Sequence, residues 1–205
     1  MSAEREVIAA IVLAAGGARR FGSQKLLAPL GGETVVHRTV RTVLDASVDD
    51  VVVVIGHEGD AVQRALADLP VRTVPNARWE EGMSASIAAG VSALHPDVAA
   101  AFVVLGDQPA IQPAVLALML ERRRAAGGGV TIVAPVYRGV QGNPVLFGAD
   151  VFAELLALTG DRGARAVLER DPARVAAVAI DQEMPGDVDV PADLTRLAAH
   201  ERSGR

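Results

Sequence analysis

The sequence predicts an α/β protein of three layers, with a mostly parallel sheet and helices on both of its faces. Three observations predict it. Apolar, β-branched runs of strand length alternate with stretches whose apolar residues recur at helical spacing. The 205 residues, 50% of them hydrophobic, suffice for one sizeable core, so a single domain over 1–205 is expected. Polar and glycine-rich motifs fall where strands end, which is where open α/β sheets bind ligands.

Each element follows from its residues. Residues 7–13 are an unbroken apolar run, read as a buried strand. Residues 34–44 carry apolar side chains at helical spacing behind Thr34, a suitable N-cap. Residues 50–55 hold four consecutive valines and an isoleucine, the pattern of a strand buried on both faces. A helix is expected over 58–66, a short strand over 71–75 and a helix over 85–94 behind Gly82-Met83-Ser84. A fourth strand spans 101–105, and a helix opens at Pro113 and runs to 124. Gly127-Gly128-Gly129 is a loop before a strand at 130–136. The rhythm then changes: a turn-rich loop, 138–144, precedes a short strand at 145–147, and helices are expected over 150–158 and 164–170. The last strand is read at 175–180 and the closing helix at 192–199.

Composition excludes several classes of function. A net charge of -5 argues against general nucleic-acid binding. No run approaches the roughly 18 apolar residues of a membrane span. Without cysteine there is no disulfide or thiolate metal site, and four scattered histidines offer no zinc spacing. The charged start of the chain lacks a signal-peptide core, so a cytoplasmic location is expected.

Several motifs carry chemistry. After the first strand, Leu13-Ala14-Ala15-Gly16-Gly17 brings small residues that let backbone approach a ligand, and Arg20 and Lys25 add positive charge. This suits a phosphate-binding loop; the rival reading is a surface turn with solvated charges. It is not a Walker A motif, because Leu26 rather than Ser or Thr follows Lys25, and its glycines do not fit the dinucleotide fingerprint. Asp107 follows a strand and can hold a hard divalent cation, or simply open a turn before Pro109. Asp187 and Asp189 share one side of an extended segment, as a cation pair or as charges favoured by the helix that follows. Asn76, Gly82, Ser84 and Ser86 can meet a nucleotide, whereas Ser84 alone could be a helix cap. Arg20 and Lys25 follow the first strand, Asn76 the third and Asp107 the fourth, and all are expected to converge on one rim.

Together these segments resemble the nucleotidyltransferases that complete the molybdenum cofactor, in the MobA-like NTP transferase superfamily. The anchors are the pattern L-A-A-G-x-x-x-R-F-G-x-x-K over 13–25, N-x-x-W-x-x-G-M-x-x-S over 76–86 and G-D-Q-P over 106–109. Further anchors are G-N-P-V-L-F over 142–147, G-D-x-G-A-R over 160–165 and D-V-D-V-P-A-D-L over 187–194. The first pattern is shared by a broad superfamily; the later ones are more specific and resemble the cytidylyltransferase branch. The related guanylyltransferases read L-A-G-G, so the extra methyl of Ala15 would narrow the base pocket toward a pyrimidine, and Gln108 also matches the cytidine branch. Ala18 stands where relatives often carry Ser, and Asn143 where His or Gln is common.

The resemblance implies a Rossmann-like, GT-A-like nucleotidyltransferase fold, with a nucleotide-binding half at about 1–110 and an acceptor half at about 111–200. It implies transfer of CMP from CTP to a molybdopterin-type phosphate, with Mg²⁺ as cofactor and a molybdenum hydroxylase as a downstream partner. Arg20, Lys25 and Asp107 would be catalytic. Leu13, Ala14, Ala15, Gly16, Gly17, Lys25, Asn76, Gly82, Ser84, Ser86 and Gln108 would bind nucleotide. Asp107 with Asp187 or Asp189 would bind metal, and Asn143 and Asp161 would face the acceptor. Three rivals stand beside it: a guanylyltransferase or other NTP transferase, a NAD(P)H-dependent oxidoreductase of the nicotine-blue type, and a non-catalytic cofactor carrier.

Overall fold

In a computed structural model, which describes residues 5–17, 21–126, 130–161 and 163–203, the chain begins with β1 (Val7–Ala14). A small hairpin follows, β2 (Pro29–Leu30) and β3 (Glu33–Thr34), and then α1 (Val35–Leu44). β4 (Asp50–Ile55), α2 (Gly59–Ala65), β5 (Arg72–Pro75) and α3 (Met83–Ser92) continue the alternation. β6 (Val98–Leu105), α4 (Pro113–Ala126) and β7 (Ile132–Tyr137) come next. β8 (Val140–Gln141) and β9 (Val145–Gly148) precede α5 (Phe152–Leu156) and α6 (Arg165–Arg170). The chain closes with β10 (Val175–Ile180) and α7 (Pro191–Ser203). Arg20 and the 127–129 loop lie outside the described residues.

Among the described residues the main sheet runs β10-β7-β9-β6-β1-β4-β5, with β8 paired to β7. β1 pairs in parallel with β4 and β6, β4 with β5, and β7 with β10. β9 is inserted antiparallel between β6 and β7. The alternation of β1 divides the core: Ile8, Ala10, Val12 and Ala14 enter one cluster, Ala9 and Ile11 the other. The first cluster holds α1, α2 and α4 through Val36, Val62 and Leu116, with Leu194 and Leu197 of α7 packed against it. The second holds α3, α5 and α6 through Ile87, Leu155 and Leu168. These two apolar layers make the three-layer α/β/α arrangement. No described helix is long and apolar enough to cross a membrane.

Thr34 caps α1 as expected, its hydroxyl accepting from His37 N at 3.3 Å. The preceding hairpin, unforeseen in sequence, carries Glu33. This carboxylate accepts from Arg41, contacts the His37 ring at 2.8 Å and accepts from Arg38. The Arg41 bond first, then His37 and Arg38, hold its pKa down at about 2 against a usual value of 4.5. A folded value below the unfolded one adds stability that is complete above 4.5 and lost as pH falls toward about 2. Glu33→Gln is therefore expected to lower unfolding free energy at neutral pH by about 1–2 kcal/mol. The loss should shrink on acidification, and urea midpoints across that pH window check it.

Candidate functional site

The parallel register sets the site. Ala14 lies beside Ile55, Leu13 beside Leu105, and Ile55 beside Pro75, so four strands end on one rim. The segments after them, at 15–17, 56–57, 76 and 106–107, are neighbours although far apart in sequence. Ala14 itself is buried in the core. His57 N donates to the Ala15 carbonyl at 3.0 Å. The approach is so close that a Cβ on Gly56 would lie 2.7 Å from that carbonyl oxygen and 2.8 Å from Trp79 Cβ. Gly56→Ala is thus expected to force the two segments apart and lower stability by about 1–3 kcal/mol, as overpacking does. Thermal unfolding of the purified variant checks this.

Trp79 covers the glycine-rich loop. A Cβ on Gly17 would touch Trp79 Cζ3 at 3.3 Å, and the Trp79 and His57 rings are tilted with centroids 5.1 Å apart. Below the loop is Gln24, only 5% exposed, whose amide donates to the His57 carbonyl at 2.9 Å and reaches the Gly16 carbonyl at 3.5 Å. The sequence pattern drew attention to Lys25 and passed over its neighbour. Gln24 bonds to main-chain carbonyls, so no side-chain motif betrays it.

Lys25 turns the other way, into the rim. Its Nζ donates to Asp107 Oδ2 at 2.5 Å and to Asp189 Oδ1 at 3.0 Å. Burial alone would depress this ammonium's pKa; Asp107 and then Asp189 outweigh it and hold it above the usual lysine value. Asp187 is tethered by Gln108, whose buried amide donates to its Oδ1 at 2.6 Å. Asp187 keeps a face open to the cavity but is crowded on the other, so desolvation raises its pKa. Repulsion from Asp107 and Asp189 adds to this, against the Gln108 bond and Lys25. The segment is held by backbone: Val188 N donates to the Asp107 carbonyl at 2.9 Å. Asp193, in the first turn of α7, accepts from Asp189 N at 2.8 Å and Val190 N at 2.9 Å.

Two carboxylates, Asp107 from the end of β6 and Asp189 from the strap before α7, thus meet one lysine, with Asp187 near them. Among the described residues, no group of three or more His, Cys, Asp or Glu side chains is arranged to hold a metal ion. Their chemistry nevertheless suits one. Hard oxygen donors crowd together with more negative charge than Lys25 neutralises, the condition a divalent cation relieves.

Beside them is a cavity of about 430 Å³, lined by Leu13, Ala15, Gly16, Gly17, Trp79, Gly82 and Ser86, with Lys25, Asp107, Asp161 and Asp187. Gly82 has φ +107°, and a Cβ there would fall 2.3 Å from Asp161 Oδ1, so this carboxylate sits against the start of α3. Other residues expected to meet a ligand spend their side chains on the scaffold. Asn76 donates to Ser86 Oγ at 3.0 Å and accepts from Arg78 N. Ser84 does not cap α3; its hydroxyl donates to the Gly160 carbonyl at 2.6 Å, joining the helix start to the 159–161 loop. Asn143 stands apart from the cavity lining, its carbonyl accepting from the Tyr137 hydroxyl at 3.2 Å. Trp79 and Met83 are anchors of the 76–86 pattern, but their place in the cavity wall, with Glu80 beside them, is not legible in it. It became visible once the 76–86 segment folded over the cavity.

Comparison with known proteins follows the same outline. Residues 10–175 match the model of the MobA-like NTP transferase domain. Nicotine blue oxidoreductase of Paenarthrobacter nicotinovorans is 30% identical over 93% of this chain and 96% of that protein. Bifunctional protein GlmU of a Synechococcus strain is 34% identical over 64% of this chain, which spans only 21% of that protein's length. Among solved structures, Rv0371c of Mycobacterium tuberculosis superposes with TM-score 0.84 and 31% identity, covering 95% of this chain and 98% of that one. Its complex with manganese superposes with TM-score 0.80 and 29% identity over the same shares, 95% and 98%. A nucleotidyl transferase from Methanothermobacter gives TM-score 0.79 and 31% identity, over 97% of this chain and 99% of that one.

Proposed function

The chain belongs to the MobA-like NTP transferase family, and from that membership we propose that it transfers CMP from CTP to a phosphate of a molybdopterin-type acceptor. One observation carries the reading: Lys25 meets Asp107 and Asp189 at the mouth of a cavity floored by the glycine-rich loop. In the reaction, an acceptor phosphate oxygen forms a bond to the α-phosphorus of CTP. The bond from that phosphorus to the bridging oxygen breaks, and pyrophosphate leaves with the electron pair.

This chain's residues position the reactants and balance charge. Gly16 and Gly17 let the phosphates approach the backbone. Lys25, with Arg20 from the same loop, neutralises the triphosphate and the leaving pyrophosphate. The Ala15 methyl, fixed against Gly56, narrows the base side toward a pyrimidine. The half of the chain beyond about residue 110 would bind the acceptor, with Asp161 and Asn143 facing it. Asp107, Asp187 and Asp189 would hold Mg²⁺, a role supported by their crowding and by the manganese complex of the Mycobacterium relative. When bound, the ion supplies Lewis-acid polarisation of phosphate oxygens. A molybdenum hydroxylase would receive the finished cofactor.

The test is pyrophosphate release from each of the four nucleotides, with Mg²⁺, with and without molybdopterin. Release dependent on both CTP and acceptor is expected. Release with GTP would make the chain a guanylyltransferase, and no release with any nucleotide would overturn the transferase reading. The full-length match to nicotine blue oxidoreductase favours a second reading, reduction of a quinone-like pigment by NAD(P)H. Loss of NAD(P)H absorbance with such a substrate, and no pyrophosphate release, would establish it instead.

A further inference from the structure

We propose that Gln24 is a positioning residue that aims a main-chain N–H of the glycine-rich loop at the phosphates; this rests on the nucleotidyltransferase reading. Gln24 and Lys25 are adjacent but part in opposite directions. Lys25 reaches the acidic rim, and Gln24 passes beneath the loop and is 5% exposed. A buried amide is stable only if its polar atoms are used. Its nitrogen is: it donates to the His57 carbonyl at 2.9 Å and, at the limit of hydrogen bonding, to the Gly16 carbonyl at 3.5 Å. Its oxygen finds no partner in the structure.

The contact to Gly16 has a geometric consequence. The Gly16 carbonyl and the Gly17 N–H belong to one planar trans peptide and point to opposite sides. Drawing the carbonyl inward, toward Gln24, turns the Gly17 N–H outward. Gly16 and Gly17 both line the cavity, whereas Gln24 does not. The outward side is therefore where an anion sits, on the same cavity as Lys25. The firmer contact to His57 ties this peptide to the loop after β4, which already donates to Ala15 and carries the ring beside Trp79. Gln24 thus fixes the floor of the phosphate site while the base side rests on Ala15, Gly56 and Trp79. Its loss should weaken phosphate binding and spare the nucleoside.

Two probes separate these effects in calorimetry on the intact chain: inorganic tripolyphosphate and cytidine. Gln24→Met, similar in length without hydrogen bonds, is expected to weaken tripolyphosphate about tenfold and cytidine less than about twofold, the effect of losing one charge-assisted bond. Gln24→Glu, which cannot donate to either carbonyl, should do the same or more. In the folded wild type, the Gly17 amide NMR signal should move on adding tripolyphosphate. Equal weakening of both probes, as in a general loosening of the cavity, overturns the proposal, and so does no weakening of either. A Gly17 signal that stays still overturns it whatever the variants do. Wild type that fails to bind tripolyphosphate overturns it together with the transferase reading, whereas wild type that binds it beside unchanged variants sinks the Gln24 role alone.

Discussion

Asp107→Ala is expected to slow nucleotide-dependent pyrophosphate release by about 10²–10³-fold while leaving the fold intact, the usual cost of losing one electrostatic contact to a reacting group. The expectation of an intact fold comes from the backbone. The turn after β6 is held by Gly106 N donating to the Leu13 carbonyl at 3.0 Å and by the Thr39 hydroxyl donating to the Gly106 carbonyl at 3.0 Å. The Asp107 main-chain oxygen, not its side chain, receives Val188 N. The carboxylate is thus free of scaffold duty, apart from its ion pair with Lys25. Asp107→Asn keeps the volume and removes the charge, so it separates electrostatics from packing and should lose nearly as much. The measurement is kcat for pyrophosphate release beside circular dichroism. Turnover within tenfold of wild type in both variants would remove Asp107 from the chemistry. The oxidoreductase reading predicts no pyrophosphate release from wild type or variants.

Lys25→Met is expected to lose turnover on a similar scale, about 10²–10³-fold, and to change the protein in a second way. Lys25 is the cation between Asp107 and Asp189, with side chains of Lys25 and Asp107 each 18% exposed. Opposite charges about 4 Å apart near a protein surface attract by roughly 4 kcal/mol before desolvation and solvent screening are subtracted. Without the ammonium, three carboxylates lie near one another uncompensated, and the Asp187 pKa is already raised, first by desolvation and then by repulsion from Asp107 and Asp189. The variant should therefore melt lower than wild type in the presence of a chelator and regain much of the difference when Mn²⁺ or Mg²⁺ is added. Lys25→Arg keeps the charge and should not show this cation-dependent rescue, though its bulkier head group should still depress kcat. Full turnover in Lys25→Met would end its assignment to the triphosphate. Equal melting with chelator and with metal would show that the carboxylates do not share an ion.

The polar residues of the 76–86 segment show what residue type alone leaves open. Asn76, Ser84 and Ser86 all have groups that a nucleotide could use. Asn76 and Ser86 bond each other, and Ser84 bonds the Gly160 carbonyl. A hydroxyl or amide beside a glycine looks the same in sequence whether it meets a ligand or braces a loop. What distinguishes the two is a carbonyl 76 residues away. The reverse holds for Asp107, Asp187 and Asp189, whose carboxylates do come to one rim, with Lys25 among them.

Local chemistry determined much of this protein. The β-branched runs at 7–13 and 50–55, the Thr34 cap and the breaks at Gly56 and Gly106 are legible because strand and helix periods are written within a few residues. The parallel β-α alternation followed from them, and with it the rim on which motifs gather. Tertiary structure alone decided the rest. The antiparallel insertion of β9 could not be read from a four-residue apolar run, which carries no sign of direction. Gln24 could not be found because its partners are the carbonyls of residues 16 and 57. The pairing of β1 with β4 brings those carbonyls together, and such long-range pairing depends on the whole sheet closing around its core.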